Sequence, residues 1–225
     1  VDFAVNAAEN VNDTTVLATV TGTDPDTGGG NDLANNFENL SYAIQTDASG
    51  KFEINAASGE ISLKVGQSLD FETAQSHVVT VRVSDGPGLF DDVDVTINVT
   101  DVNDTAPAFT SSATPSVAEN ITTVVSLTAT DADTTGEATT FAITGGNDAA
   151  LFQIAGDGHT LEFKVAPDFE ADQHSYDVQV TASDGANTTD QSITVTLTDV
   201  NEAPVAPVDF AVNAAENVND TTVLA

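Results

Sequence analysis

Five acidic signatures occur twice in this chain, in one order, which restricts it to two diverged copies of a single fold joined end to end. Ala8-Glu9-Asn10 is answered by Ala118-Glu119-Asn120, and Thr23-Asp24-Pro25-Asp26 by Thr130-Asp131-Ala132-Asp133. Asp70-Phe71-Glu72, Ser84-Asp85-Gly86 and Asp101-Val102-Asn103-Asp104 return as Asp168-Phe169-Glu170, Ser183-Asp184-Gly185 and Asp199-Val200-Asn201-Glu202. The offset falls from 110 at the first pair to 107 at the second and 98 or 99 thereafter, so the first copy carries an insertion between Asp26 and Asp70. The Gly28 to Asn39 stretch, rich in Gly and Asn, is the expected surface loop. A longer period overlies this one: Val208 to Ala225 reproduces Val1 to Ala18 without a change, at an offset of 207 residues. The parent protein is therefore expected to repeat the whole unit, and the chain to be cut from something longer.

Apolar periodicity identifies the element type. Val79, Val81 and Val83 alternate with Thr80, Arg82 and Ser84, and Val93, Val95, Ile97 and Val99 alternate with Asp94, Thr96 and Asn98. The second copy does the same with Tyr176, Val178, Val180 and Ala182, and with Ile193, Val195 and Leu197. A period of two means half-buried strands, one face apolar and one wet. With Ser-Asp-Gly, Ser-Gly-Glu and Gly-Pro-Gly turns between them and no sustained 3.6-residue stripe, the chain reads as all-β. The expected architecture is two tandem antiparallel Greek-key β-sandwiches. One helical turn fits near Asn147 to Phe152, and Phe52, Phe71, Phe141, Phe152 and Phe169 are expected in the cores. Proline punctuation places the boundaries: residues 1–104, residues 105–204, and a stub at 205–225 holding a linker and the next first strand. Because that stub equals residues 1–18, it is expected either to be disordered or to replace the first strand of a neighbouring molecule.

The charge sets the chemistry. Against 36 acidic residues stand only 4 basic ones, a formal charge of −32, which excludes nucleic acid and calls for cations. No apolar run reaches the ~18 residues of a membrane span, and the first ten residues lack the basic region of a signal peptide. Without cysteine there is no disulfide or thiolate metal site. His77, His159 and His174 are scattered with no second histidine at ligand spacing, and are expected in solvated strand or turn positions. Nothing resembles a nucleophile elbow, a phosphate-cradling loop or a GGxGxD calcium roll. Asn-Xaa-Thr sequences at Asn98, Asn103, Asn120 and Asn187 are no more than a threonine-rich chain produces by chance.

The ordered signatures resemble the cadherin domain family over residues 1 to 207, particularly its variants in large bacterial surface proteins. That resemblance implies calcium at the junction between successive domains. Carried over residue by residue, the ligands are Glu9, Asp70 and Glu72 from the first domain, and Asp101, the Val102 and Asn103 carbonyls and Asp104 from the linker. Asp131, Asp133 and Asp184 come from the second domain. Oxygen donors of this kind are what calcium takes, six to eight at a time. Carboxylates packed this densely repel, by about 1 kcal/mol per pair at 4 Å even in bulk water. Such a junction is expected to be loose without calcium and stiff with it. Thr105 stands where the family places an asparagine, so two ions compete with three as the expectation. The resemblance also implies half-sites at the ends: Asp24, Asp26 and Asp85 at one, and Glu119, Asp168, Glu170, Asp199, Asn201 and Glu202 at the other. Both should bind calcium weakly, each lacking its partner domain.

The function implied is non-enzymatic and extracellular: a calcium-dependent adhesion segment, one unit of a repetitive stalk whose partners are neighbouring cadherin-like repeats. The alternative is a calcium-dependent carbohydrate-binding or homophilic cell-cell module that takes a surface glycan or another cell-surface protein. With two Tyr and no Trp, the chain is poor in the exposed aromatics that glycans stack on and has no tryptophan for strand exchange.

Overall fold

The computed structural model describes residues 2–24, 40–85 and 88–204. The expectations placed on Asp26, on the Gly28 to Asn39 loop and on the 205–225 stub fall outside these residues.

The chain forms two β-sandwiches. In the first, β1 (Phe3–Ala8), β7 (Phe90–Thr100), β6 (Ser76–Ser84) and β3 (Ser41–Asp47) make one sheet in that order. β2 (Ala18–Thr19), β5 (Glu60–Leu63) and β4 (Phe52–Ile54) make the other. In the second, β9 (Ser116–Ala118), β16 (Thr188–Thr198), β15 (Ser175–Ser183) and β12 (Thr140–Gly145) face β10 (Thr123–Ser126), β14 (Thr160–Phe163) and β13 (Phe152–Ile154). A further pair, β8 (Ala108–Phe109) with β11 (Ala129–Thr130), closes one edge. The expected helical turn is a single 3-10 turn at Ala149–Leu151.

The period-two pattern is what sorts the side chains. Val79, Val81, Val95 and Ile97 point inward from β6 and β7 onto Phe52, Ile61 and Leu63, all fully buried. Val178, Val180, Ile193, Val195 and Leu197 do the same over Phe152, Leu161 and Phe163. Each such side chain contributes roughly 1.5–3 kcal/mol of burial free energy. The two sets form separate clusters, so each sandwich has its own core.

Within these Greek-key sandwiches the outermost pairing is parallel. β1 runs alongside β7 from Phe3↔Val95 to Ala8↔Thr100, and β9 runs alongside β16 from Ser116↔Thr196 to Ala118↔Thr198. Parallel register brings the end of the first strand beside the end of the last. Residues that follow each therefore meet at the pole where the chain leaves for its neighbour, and Glu9 lies next to the linker for this reason.

One placement differs from expectation. His77 is half-buried and set edge-on to Phe52 with ring centroids 5.5 Å apart, and its Nε2 is buried without a hydrogen-bond partner. It occupies the second position of β6, which the alternation turns toward the core. His159 and His174 are exposed as expected, the latter stacked on Phe169 at 3.8 Å.

Candidate metal centre

Glu9 is 4% exposed, and backbone donors hold its carboxylate in place. Phe71 N–H donates to Oε2 at 2.7 Å and Val102 N–H to Oε1 at 2.7 Å. The end of β1 is thereby tied to the Asp70-Phe71-Glu72 turn and to the linker through one side chain. Each contact is a charge-assisted bond, roughly twice as strong as a neutral one.

Around this anchor the carboxylates gather. One oxygen from each of Glu9, Glu72 and Asp101 lies within 4.8 Å of the others, as do oxygens of Glu72, Asp104 and Asp133, and of Asp131, Asp133 and Asp184. Glu72 belongs to the first two groups and Asp133 to the last two, so the three form one chain of acids running from the first sandwich into the second. Loss of water around Glu72 pushes its carboxyl up, and the charges of Glu9, Asp133 and Asp101 add to the rise.

Direct bonds also cross the junction. Thr134 donates from its backbone N and its hydroxyl to Asp101 Oδ2, and Thr135 N donates to the same oxygen at 2.8 Å. The Thr134 hydroxyl is the largest cause holding the Asp101 carboxyl below its ordinary value, and the two backbone donors add to it. Thr105 N–H donates to Asp133 Oδ2 at 2.9 Å. Asp184 caps its own turn, accepting from Asn187 N at 2.6 Å and Ala186 N at 2.8 Å, which lowers its carboxyl. Asp131 Oδ1 accepts from Asp133 N at 3.2 Å.

Two oxygens within this chain of acids are left over. Asp101 Oδ1 and Asp133 Oδ1 are buried and have no hydrogen-bond partner. Burying such an atom costs about 1–3 kcal/mol or more unless something supplies positive charge. The acidic groups offer carboxylate oxygen only, without thiolate or imidazole, which fits a hard cation such as calcium.

Not every expected ligand joins these groups. Asp70 accepts instead from Thr73 N at 2.7 Å and Thr73 Oγ1 at 2.8 Å, which lowers its carboxyl. Val102 lies in the linker with its N–H spent on Glu9. The Asn103 carbonyl and side-chain oxygens accept from Asn187 Nδ2 at 3.3 and 2.8 Å. Asn187, Thr134, Thr135 and Gly136 were not foreseen as part of this site. Gly136 has φ +111°, and a Cβ there would stand 2.2 Å from Asn103 Nδ2, so the turn needs glycine to admit the linker. The signal for it was the Thr134-Thr135-Gly136 turn just after Asp131 and Asp133.

At the far end of the second sandwich the same clamp recurs. Glu119 is 2% exposed and accepts from Phe169 N and Val200 N, each at 2.8 Å, which lowers its carboxyl. Glu119, Glu170 and Glu202 form one further acidic group. The Glu170 backbone N–H opposes a rise in that residue's carboxyl, but lost water and the charges of Glu119, Asp199 and Glu202 outweigh it. Asn120 Nδ2 donates to Glu202 Oε1 at 2.6 Å, Asp168 Oδ1 accepts from Glu170 N at 3.0 Å, and Asn201 is exposed. At the opposite end, Asp85 Oδ1 accepts from Gly88 N and Leu89 N at 2.6 and 2.7 Å, and Asp24 lines a groove with it.

Comparison with known proteins bears on the fold that carries these groups. The family model for the cadherin domain matches residues 3–100 and 113–198. Human protocadherin gamma-A1 is 32% identical over 209 residues, 89% of this chain and 22% of that protein. Mouse cadherin-related family member 1 is 34% identical over 115 residues, 48% of this chain and 13% of the relative. The chain thus spans less than a quarter of the length of these relatives. Among solved structures, mouse cadherin-23 EC22-24 superposes with a TM-score of 0.71 at 28% identity, covering 88% of this chain and 63% of that one. Human protocadherin-24 EC1-2 superposes with a TM-score of 0.63 at 22% identity, covering 88% and 95%.

Proposed function

Since this chain belongs to the cadherin family and carries its domains in tandem, we propose that calcium shared between the two domains locks their junction and makes the pair a stiff adhesion spacer. A run of cadherin domains is extracellular, and such domains are in general non-enzymatic. The observation that carries the reading is the pair of buried, unpartnered oxygens, Asp101 Oδ1 and Asp133 Oδ1, inside acidic groups drawn from both sandwiches.

The residues that would hold the ions are Glu9, Glu72, Asp101, Asp104, Asp131, Asp133 and Asp184, with Asp70 and the Val102 and Asn103 carbonyls beside them. Calcium would supply positive charge to a surface that otherwise repels itself. The protein's own residues do the rest: Glu9 fixes the linker to the first domain, and Asp101 and Thr105 fix it to the second. The domain boundaries are proposed at 104/105 and 204/205, each supported by the acidic, proline-bearing segment that ends a last strand there.

The parent is proposed to be a long repetitive surface adhesin in which repeats of this unit add length. The unchanged 18-residue copy supports repetition. Bacterial origin draws support only from the resemblance of the ordered signatures to bacterial variants, and the relatives named above are animal proteins.

Small-angle scattering with calcium and with chelator tests the mechanism: the maximum dimension should grow and its spread narrow when calcium is added. An unchanged profile rules the stiffening out. Calorimetric titration should lose an ion after Asp104→Ala and lose most affinity after Asp133→Ala, because Asp133 belongs to two of the acidic groups.

A further inference from the structure

Asp101 divides its two oxygens between different tasks. It follows β7 directly, and the next residue is tied to the first sandwich by Val102 N–H on Glu9 Oε1. Its Oδ2 reaches the second sandwich, where three donors of one turn converge on it: Thr134 N–H, the Thr134 hydroxyl and Thr135 N–H. Its Oδ1 is buried and accepts nothing. The turn is itself held at both ends. Asp133 N–H donates to Asp131 Oδ1 at 3.2 Å before it, and Glu137 N–H donates to Asp184 O at 3.2 Å after it. All three donors to Asp101 are neutral groups meeting a charged acceptor, an attraction that needs no ion, whereas every pair of carboxylates at the junction repels until a cation arrives.

We propose that the turn at residues 134–136 is a latch that closes on Asp101 without calcium, and that Thr134 is a positioning residue which, by fixing Oδ2, presents Oδ1 to an ion shared with Glu9 and Glu72. The second half rests on the function proposed above, and the first half does not. Of the three acidic groups at the junction, that of Glu9, Glu72 and Asp101 draws every member from the first sandwich and the linker. An ion held there has no carboxylate of the second sandwich beside it. The latch supplies the missing connection, because one side chain then touches both the ion and the turn of the second sandwich. Gly136 lets the turn come this close, since a side chain at that position would run into Asn103. The first copy carries the same hydroxyl in sequence: the offset of 107 that pairs Asp26 with Asp133 pairs Thr27 with Thr134, while Thr135 and Gly136 answer to Gly28 and Gly29.

The test compares the full chain with Thr134→Val, which keeps the shape and removes the hydroxyl, and Thr134→Ser, which keeps the hydroxyl. In chelator, amide hydrogen exchange at residue 134 and at Thr135 should quicken on the order of tenfold in Thr134→Val, because a bond to a charged acceptor is lost, and should stay near that of the unmutated chain in Thr134→Ser. Exchange at Val178 and Val180, fully buried in the second core, should not move in either. Calorimetric titration should show calcium affinity at one site falling about fivefold in Thr134→Val and recovering in Thr134→Ser. Unchanged exchange at Thr135 overturns the latch, and unchanged affinity beside quickened exchange overturns the positioning role. Quickened exchange at Val178 as well would mean a general loosening of the second sandwich and overturns both. If the unmutated chain took up no calcium, the proposed function and the positioning role would fall together, and exchange in chelator would still decide the latch.

Discussion

Glu9 in the first sandwich and Glu119 in the second each accept two backbone N–H groups, whereas the two cores differ in what packs around their shared phenylalanine, Phe52 or Phe152. Phe152 lies 4.4 Å from Phe163 and 6.1 Å from Tyr176, with those two rings 4.9 Å apart, so three aromatics interlock. The equivalent positions around Phe52 hold Leu63 and His77. Duplicated domains keep a polar geometry where two backbone donors dictate both partner and distance. They drift where the only requirement is to fill volume, because cores tolerate exchange at roughly constant size.

Truncating the shared phenylalanine should separate the two cores most strongly. Phe152→Ala is expected to cost about 4–5 kcal/mol and Phe52→Ala about 3–4 kcal/mol, the difference being the lost ring contacts. Urea unfolding of each variant checks this, and because the cores are separate each substitution should shift one transition and spare the other. Equal losses would show that the aromatic triad adds nothing beyond area.

The conserved clamp comes next. Glu9→Ala orphans the Phe71 and Val102 donors and should destabilise the first sandwich by roughly 3 kcal/mol, while Glu9→Gln, which still offers one acceptor, should lose less. Because Val102 lies in the linker, hydrogen exchange at Val102 should rise with the loss. A stability loss with an unchanged linker would mean that the glutamate does not couple the two.

The smallest effect is one of acidity. Burial holds the His77 imidazole below its ordinary value of 6.5, with Lys51 adding to the depression and Asp47 opposing it. A group that takes up its proton more readily when unfolded leaves stability intact above pH 6.5 and removes it as pH falls through that value toward the lower folded one. Because the ring is only half-buried, screening limits the loss to about 0.5 kcal/mol. Thermal melts between pH 7 and 5.5 should show it in the first sandwich only, and His77→Tyr, which copies the second, should abolish it.

Much of this was readable before any coordinates. Period-two runs such as Val79-Val81-Val83 name strands and their buried face, since side chains on a regular strand alternate. The doubled acidic signatures announced two domains and the pole where Glu9, Glu72, Asp101, Asp104 and Asp133 gather. His77 was misread because alternation was counted from Val79 and not extended back to the second residue of β6. Thr134 and Asn187 went unseen because threonine and asparagine are common and only position makes them donors.

Chain order and residue chemistry were enough to establish two β-sandwiches and an oxygen-rich junction suited to a hard cation, because periodicity and donor type are properties of local sequence. Which acids converge, and that Asp70 turns to Thr73 while Glu72 faces Asp133, were settled by folding. Those outcomes depend on pairing register and on which backbone donors lie nearest, and residues far apart in the chain set both.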